Sequence, residues 1–167
     1  TETTDLISII QNCLPDHQKH AKEKSLELRT NFSHKKIYVD VDIQCVENAL
    51  NNLIGNAVKF THQGYIEVDV SILQVKGLAI CKVRDTGIGI STKYLDHLYQ
   101  PFSQEDLNVG RNYEGNGLGL ALAKRYIEKL GGSLLVDSIK GVGSTFTFTL
   151  PLNQSKAFLT VNDKDEV

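Results

Sequence analysis

The amino-acid sequence predicts an α+β fold, a two-layer α/β sandwich in which a mixed, mostly antiparallel sheet carries helices on one face. Three long segments show the 3.6-residue apolar period of amphipathic helices, and two pairs of segments alternate apolar and polar residues as β-hairpins do. Their order along the chain is helix, strands, helix, hairpin, helix, hairpin. Because hairpin-connected strands pair antiparallel, this order is not that of a doubly wound parallel sheet.

The composition is typical of one ordinary globular domain. The chain has 167 residues, of which 41% are hydrophobic and 23% charged, and its net charge is −2. It lacks the basic blocks that neutralise a phosphate backbone, so nucleic-acid binding is not expected. No apolar run is long enough to span a bilayer, and the first residues do not form a signal peptide. We therefore expect no direct membrane contact from this segment.

The cysteine and methionine content indicates the cellular compartment of the chain and its relation to a longer protein. Its three cysteines are widely separated and form no C-x-x-C pair, which predicts reduced thiols in a reducing compartment. We accordingly expect a cytoplasmic location, whether or not a parent protein is anchored in a membrane. Methionine is absent even at position 1, so we expect the chain to be a domain excised from a longer protein.

Two helices are predicted in the first third of the chain. The apolar period predicts one over residues 5–24, with Pro15 as a point where it kinks or restarts. A second helix is predicted to begin after Asp42, a residue suited to an N-cap, and to end at Phe60, with residues 62–64 closing it.

The predicted strands are short and alternate in polarity, as in sheets with one buried face. They comprise residues 26–29 and 37–39, a hairpin of 65–73 and 78–83, and a final pair of 133–138 and 144–150.

The rest of the chain divides into a loop, a helix and a tail. A short helical stretch near 93–100 precedes a polar, glycine-containing segment, 101–116, whose lack of period is typical of functional or mobile loops. The apolar pattern predicts a helix over residues 117–130. We assign residues 1–152 to one domain and interpret 153–167 as a linker or C-terminal tail.

The second helix carries a polar row beside its apolar stripe. Asn48, Asn52, Asn56 and Lys59 follow one another at helical spacing and so project from one side. Uncharged amides ending in a lysine suit a metal ion and a phosphate. A solvated face is the alternative, although asparagine is a poor helix former and gains nothing there from propensity.

Two glycine clusters bracket the polar loop, at 85–90 (DTGIGI) and 115–120 (GNGLGL). Glycine lets backbone approach a ligand closely, and the second cluster opens a helix, whose N-terminal N–H groups favour an anion. It matches the spacing of a dinucleotide fingerprint but not its strand-turn-helix context. Asp85, at a strand end, is suited to accept a hydrogen bond from an exocyclic amine such as that of adenine; the alternative is a turn carboxylate that binds its own backbone.

Together these motifs resemble the N, G1, F and G2 boxes of the catalytic and ATP-binding domain of sensor histidine kinases, within the wider group of Bergerat-fold ATPases. The motifs that carry the resemblance occur in the order of these boxes: Asn52/Asn56/Lys59, residues 85–89, Pro101-Phe102, Gly115/Gly117/Gly119 and residues 143–145. The resemblance spans about residues 5–152 and implies a Bergerat ATP-binding fold.

The resemblance implies a role for each box residue. Asn56 would coordinate Mg²⁺, and Asn52 would sit near the phosphates of ATP as a second polar anchor. Lys59 would neutralise phosphate charge, Phe60 would line the adenine site, and Asp85 would bind the adenine amino group.

The loop and the remaining motifs complete the implied nucleotide site. Residues 101–116 would fold over the triphosphate, with Arg111 contacting the γ-phosphate and Phe102 packing beneath the loop, while Thr145 would support the adenine edge. Of all these residues, Asn52, Lys59 and Arg111 would act in catalysis. The other implied nucleotide-binding residues are Gly87, Gly89, Ile90, Gly115, Gly117, Leu118, Gly119 and Leu120.

The implied activity is that of a protein-histidine kinase in two-component signal transduction. Related Bergerat ATPases carry a water-activating glutamate where this helix has Asn52, an amide that takes no proton at neutral pH, so efficient hydrolysis is not expected. The phosphoacceptor would be a histidine on a separate dimerisation domain of the parent kinase. A response-regulator receiver domain would act downstream.

Three other functions share the motifs: a nucleotide-binding regulatory module without phosphotransfer, a stand-alone Bergerat-fold ATPase, and a serine kinase of the anti-sigma-factor type. Asn52 disfavours the ATPase, and the long loop with the GNGLGL cluster favours the histidine class over the serine kinase.

Overall fold

The computed structural model describes residues 1–99, 119–156 and 158–160. Its helices there are α1 (Leu6–Glu23), α2 (Ile43–Phe60), α3 (Thr92–Leu95) and α4 (Gly119–Lys129), with a 3₁₀ turn at Gln74–Lys76. Its strands are β1 (Glu2–Asp5), β2 (Glu27–Phe32), β3 (His34–Val41), β4 (Tyr65–Leu73), β5 (Leu78–Asp85), β6 (Ser133–Ile139), β7 (Gly143–Pro151) and β8 (Phe158–Thr160).

A five-stranded sheet forms one layer of the domain. Its strand order is β2-β4-β5-β7-β6, with β2 and β4 parallel and every other pair antiparallel. Buried and more exposed residues alternate along β4, β5 and β7, so one face of the sheet packs into the core. Helices α1, α2 and α4 contribute buried residues to the same core, which confirms the predicted mixed sheet with helices on one face.

The two long helices begin at side-chain caps. Asp5 accepts a hydrogen bond from the backbone N–H of Ile7 (3.1 Å), and Asp42 accepts one from that of Gln44 (3.0 Å). The predicted N-cap of α2 is therefore correct. Helix α1 continues through Pro15 to Glu23 without a restart.

Several predicted boundaries differ from the structure. Strands β2 and β3 are longer than predicted, and α3 covers only Thr92–Leu95 of the helical stretch expected near 93–100. Helix α2 ends at an extended C-cap, Thr61, before the glycine turn that was expected to close it. The predicted start of α4, residues 117–118, lies outside the described residues.

A second sheet, with the order β1-β3-β8, was not predicted. Strand β1 lies before the predicted first helix and shares only Asp5 with it, and β8 lies in the segment interpreted from sequence as a tail. Both segments are also fixed to Asp40 on β3, which accepts hydrogen bonds from Thr3 Oγ1 (2.6 Å) and Asn153 Nδ2 (2.9 and 3.0 Å). These bonds hold the pKa of Asp40 below its ordinary value, with the larger effect from Thr3. The segment after Leu152 thus begins as an ordered part of the fold.

Candidate functional site

The polar row of α2 faces the start of α4. Asn48, Asn52, Asn56 and Lys59 are all half-buried, while the neighbouring apolar residues of α2 are buried in the core. A Cβ added to Gly119 would lie 3.3 Å from Asn52 Oδ1. The structure therefore places Gly119, the last glycine of the second glycine cluster, beside Asn52 of the amide row.

Asp85 is a nearly buried carboxylate at the end of β5. It is 8% exposed, and its Oδ1 accepts hydrogen bonds from the backbone N–H of Gly87 (2.9 Å) and Ser144 (3.3 Å). Burial raises the pKa of this carboxyl, and the two backbone hydrogen bonds partly oppose the rise. No described residue makes a hydrogen bond to Oδ2, so the carboxylate has a second acceptor atom that the described part of the fold does not use.

The loop after Asp85 is fixed to the end of α2. The N–H of Ile88 donates to the carbonyl of Phe60 (3.2 Å), and a Cβ on Gly87 would lie only 2.5 Å from that same oxygen. Glycine at position 87 is thus required by contact with the protein's own backbone, whereas the sequence suggested contact with a ligand.

The same loop is also fixed to the turn between β6 and β7. The N–H of Gly141 donates to the carbonyl of Ile88 (2.7 Å), and the N–H of Ile90 donates to Ser138 Oγ (2.7 Å). Gly89 has φ +67°, and a Cβ there would lie 2.1 Å from the carbonyl oxygen of Ile139. Both the left-handed backbone and the close approach require glycine.

The prediction for Thr145 conflicts with the strand register. Ser144 is the residue paired with Asp85 across β5 and β7, whereas Thr145 pairs with Arg84. Since successive side chains on a strand point to opposite faces, Thr145 lies on the face of the sheet away from Asp85. Ser144 is buried and supplies the N–H to Asp85, so it is the supporting residue that sequence reasoning missed. The alternation of Ser144 with Phe146 and Phe148 was the available signal.

Lys59 and Phe60 occupy the last two positions of α2. The Lys59 ammonium lies 5.5 Å from the centroid of the Phe60 ring, and both residues are half-buried. Ile90 and Leu120 are partly buried and pack against the core. The other predicted site residues, Phe102, Arg111, Gly115, Gly117 and Leu118, lie outside the described residues.

An open cavity of about 660 Å³ borders the glycine loop, and of the predicted site residues its lining includes only Gly87 among those that the structure describes. Its lining contains neither Asp85 nor any residue of α2, and consists of His62, Gln63, Thr86, Gly87, Ile88, Lys140 and Gly141.

The fold and this arrangement of amides, carboxylate and glycine loop define an ATPase class. Residues 41–154 match the family described as histidine kinase-, DNA gyrase B-, and HSP90-like ATPase, and the chain belongs to that family. Within it, the chain is a catalytic and ATP-binding domain of the sensor histidine kinase type, which confirms the resemblance stated from sequence.

Its relatives include kinases from bacteria and a eukaryote. The chain is 33% identical to sensor histidine kinase WalK of Bacillus subtilis (strain 168), over 84% of the chain and 23% of WalK. It is 35% identical to hybrid signal transduction histidine kinase B of Dictyostelium discoideum, over 87% of the chain and 8% of that protein. The chain thus spans less than a quarter of these curated relatives.

Solved structures show the same fold. The crystal structure of full-length ShkA in complex with AMPPNP superposes with a TM-score of 0.79 at 27% identity, covering 94% of this chain and 31% of ShkA. The mycobacterial sensor histidine kinase MprB gives a TM-score of 0.75 at 24% identity, with 91% of this chain and 97% of that one covered.

Two kinds of feature are absent from the described residues. None of the helices in residues 1–99 and 119–156 combines the length and apolar character needed to cross a membrane. In the same part of the chain, no three His, Cys, Asp or Glu side chains are grouped so that they could hold a metal ion.

Proposed function

We propose that this chain binds ATP with Mg²⁺ and donates the γ-phosphoryl group to a histidine on a separate dimerisation domain of its parent kinase. The observation that carries the proposal is the geometry of Asp85. Two backbone N–H groups hold Oδ1, and Oδ2 is left by the described residues to accept a hydrogen bond from a ligand.

The adenine end of the ligand would lie against Asp85. A buried carboxylate acceptor selects a ligand that donates a hydrogen bond, because a ligand without a donor would leave the charge unpaired. The 6-amino group of adenine is such a donor. Phe60 and Ile90 supply apolar surface for the ring, and Leu120 supplies more at the start of α4.

The phosphate end would lie along the amide row of α2. Asn56 would ligate Mg²⁺ through its amide oxygen, with Asn52 beside the phosphates and Lys59 offsetting their charge. Neutral oxygen donors fit Mg²⁺, which keeps several waters and takes few protein ligands. Bound Mg²⁺ neutralises charge on the triphosphate. The second glycine cluster and Arg111 would complete this end; of that cluster the structure describes Gly119, next to Asn52.

Transfer to another group is favoured over hydrolysis by the chemistry of Asn52. The position faces Gly119 and the predicted phosphates, yet its amide cannot act as a general base at neutral pH. Catalysis would then consist of positioning and charge stabilisation, with the nucleophile supplied by another domain.

The remaining partners are proposed from the relatives. The chain matches only part of longer proteins named as sensor and hybrid kinases, so the parent protein would supply the dimerisation domain and pass the phosphoryl group to a receiver domain. The reaction would take place in the cytoplasm.

Calorimetry with Mg-ATP, followed by phosphotransfer to the parent's dimerisation domain supplied separately, tests the proposal. Asn56→Ala should abolish transfer and weaken Mg-ATP binding by at least about tenfold, since a metal ligand is lost. Asn51→Ala is the matched control, because Asn51 lies on the same helix but faces α1, where its Oδ1 is 2.9 Å from His17 Nε2.

Each outcome of that experiment has a distinct meaning. Binding without transfer by the wild-type chain would favour a regulatory module, and steady phosphate release without an acceptor would favour an ATPase. Full transfer by Asn56→Ala would show that the metal assignment is wrong.

A further inference from the structure

The C-terminal end of α2 is held by contacts from outside the helix. The last four carbonyl groups of an α-helix have no partner within it, and a glycine turn commonly satisfies them. Here Thr61 is extended and no such turn follows directly. The four carbonyls, those of residues 57–60, instead accept hydrogen bonds from Thr61 Oγ1, from Lys24 Nζ and from the N–H of Ile88.

Lys24 satisfies two of these four groups at once. It is the C-cap residue of α1, and its ammonium donates to the carbonyls of Val58 (2.6 Å) and Lys59 (3.1 Å). A cation at this position also complements the negative end of the helix dipole. Burial lowers the pKa of this half-buried lysine, so the two carbonyl contacts compensate for lost hydration.

These contacts fix the turn that carries two proposed ligand-binding side chains. The carbonyl of Lys59 belongs to the peptide that joins Lys59 to Phe60, and the carbonyl of Val58 belongs to the peptide before it. Without Lys24, both peptides would lose their anchor, while Thr61 and Ile88 would still hold residues 57 and 60. The last turn would then be free to fray at the residues between.

We propose that Lys24 is a positioning residue of the nucleotide site, which holds the last turn of α2 so that Lys59 faces the phosphates and Phe60 faces the adenine ring. The inference rests on the proposed nucleotide binding. It adds a residue from α1, a helix that carries none of the family's sequence boxes.

Calorimetric titration of the 167-residue chain with Mg-ATP tests this role. Lys24→Met keeps the length and apolar stem of the side chain but removes the donors, and should weaken binding about tenfold. Lys24→Arg keeps donors and charge, and should stay within about threefold of wild type. Lys22→Met is the matched control, because Lys22 is an exposed lysine in the same helical turn. This variant should bind Mg-ATP with the affinity of the wild type.

A double-mutant cycle separates positioning from a general loss of stability. If Lys24 acts through the last turn of α2, Lys24→Met should reduce the affinity for Mg-ATP by a smaller factor in a Lys59→Met background than in the wild type, because the contribution of Lys59 is already lost there. Circular dichroism at the titration temperature confirms that each variant is folded. Should Lys24→Met fail to fold, the cycle is run with Lys24→Gln, which keeps an amide donor but loses the charge.

The possible failures are distinguishable. Absence of Mg-ATP binding by the wild-type chain would overturn the proposed function itself. Wild-type affinity in folded Lys24→Met, equal losses in both backgrounds of the cycle, or a loss in Lys24→Arg as large as in Lys24→Met would each overturn the role of Lys24 alone.

Discussion

The two ends of α2 are held in different ways. At its N-terminus a single local contact, from Asp42 to the N–H of Gln44 two residues later, caps the helix. At its C-terminus the caps come from three places in the chain: Thr61, Lys24 on α1 and the N–H of Ile88 in the glycine loop. The first end depends on adjacent residues, and the second depends on the assembled fold.

Because the two ends of α2 are held differently, substitutions at one end should affect mainly stability and those at the other should also affect ligand binding. Loss of the N-terminal cap removes one hydrogen bond far from the nucleotide site. We expect loss of a C-terminal cap to displace Lys59 or Phe60 relative to Asp85, because those residues share the last turn with the capped carbonyls. Substitutions at the two ends should therefore differ in their effect on ligand affinity more than in their effect on the free energy of unfolding.

The largest effect is expected from Gly87→Ala, which disrupts the contact between the glycine loop and the C-terminal end of α2. The added Cβ would lie 2.5 Å from the backbone carbonyl oxygen of Phe60 and 2.9 Å from Asp85 Oδ1, which leaves little room for relaxation. We expect a loss of about 2 to 3 kcal/mol in the free energy of unfolding, measured in urea, together with a loss of Mg-ATP binding.

The control for this substitution lies in α2 itself. Among the described residues outside α2, a Cβ on Gly55 would meet only His17 Cε1, at 3.7 Å, so Gly55→Ala should stabilise the helix by about 0.5 to 1 kcal/mol and leave the affinity for Mg-ATP unchanged. Equal stability of the two variants would contradict the close approach of loop and helix.

Asp85→Asn should have the next largest effect, on affinity and not on folding. Its Oδ1 can still accept from Gly87 and Ser144, but the charged acceptor for the adenine amine is lost, so Mg-ATP should bind about tenfold or more weakly. Calorimetry measures the change. An affinity equal to wild type would exclude Asp85 from the adenine contact.

The same variant tests the raised pKa of Asp85 through the pH dependence of stability. Because burial raises the folded-state pKa above the unfolded value, the carboxyl favours folding most below its unfolded pKa, and that contribution is lost as pH rises through the folded pKa. Asp85→Asn should therefore be at least as stable as wild type at neutral pH. Its relative advantage should shrink on acidification, as measured by urea unfolding across the acid range.

The smallest effect is expected at the other end of the helix. Asp42→Ala should lower the free energy of unfolding by about 1 kcal/mol without changing the affinity for Mg-ATP, because the lost cap touches no proposed ligand contact. Asp42→Asn, which can still cap, should restore stability. A weaker affinity in Asp42→Ala would show that the two ends are not independent.

The sequence predicted the features that depend on neighbouring residues and missed those that depend on the assembled fold. The N-cap at Asp42, the amphipathic α2 and the hairpin of β4 and β5 depend on residues close together in the chain, and local patterns predicted them. The carboxylate at Asp85 was predicted because a strand end followed by glycine is itself a local signal. The assignment of Thr145 in place of Ser144 missed the strand's alternation by one residue, which reverses the face.

The missed features depend on distant residues. Strands β1 and β8 are short, and each exists as a strand only through pairing with β3, across a separation in sequence that no local pattern encodes. Lys24 lies 34 residues from the carbonyl of Val58 that it caps. A lysine after a helix has many possible partners, and only the assembled fold selects one.

The small sheet brings two distant parts of the chain close together. Thr4 and Leu152 both pair with Val39, from opposite sides of β3. With adjacent strands about 4.8 Å apart, these two residues are separated by about 10 Å, although they are 148 positions apart in the sequence (152 minus 4). The beginning of the fold and the residue after β7 are therefore joined through one shared strand, and neither segment can detach without breaking its pairing with β3.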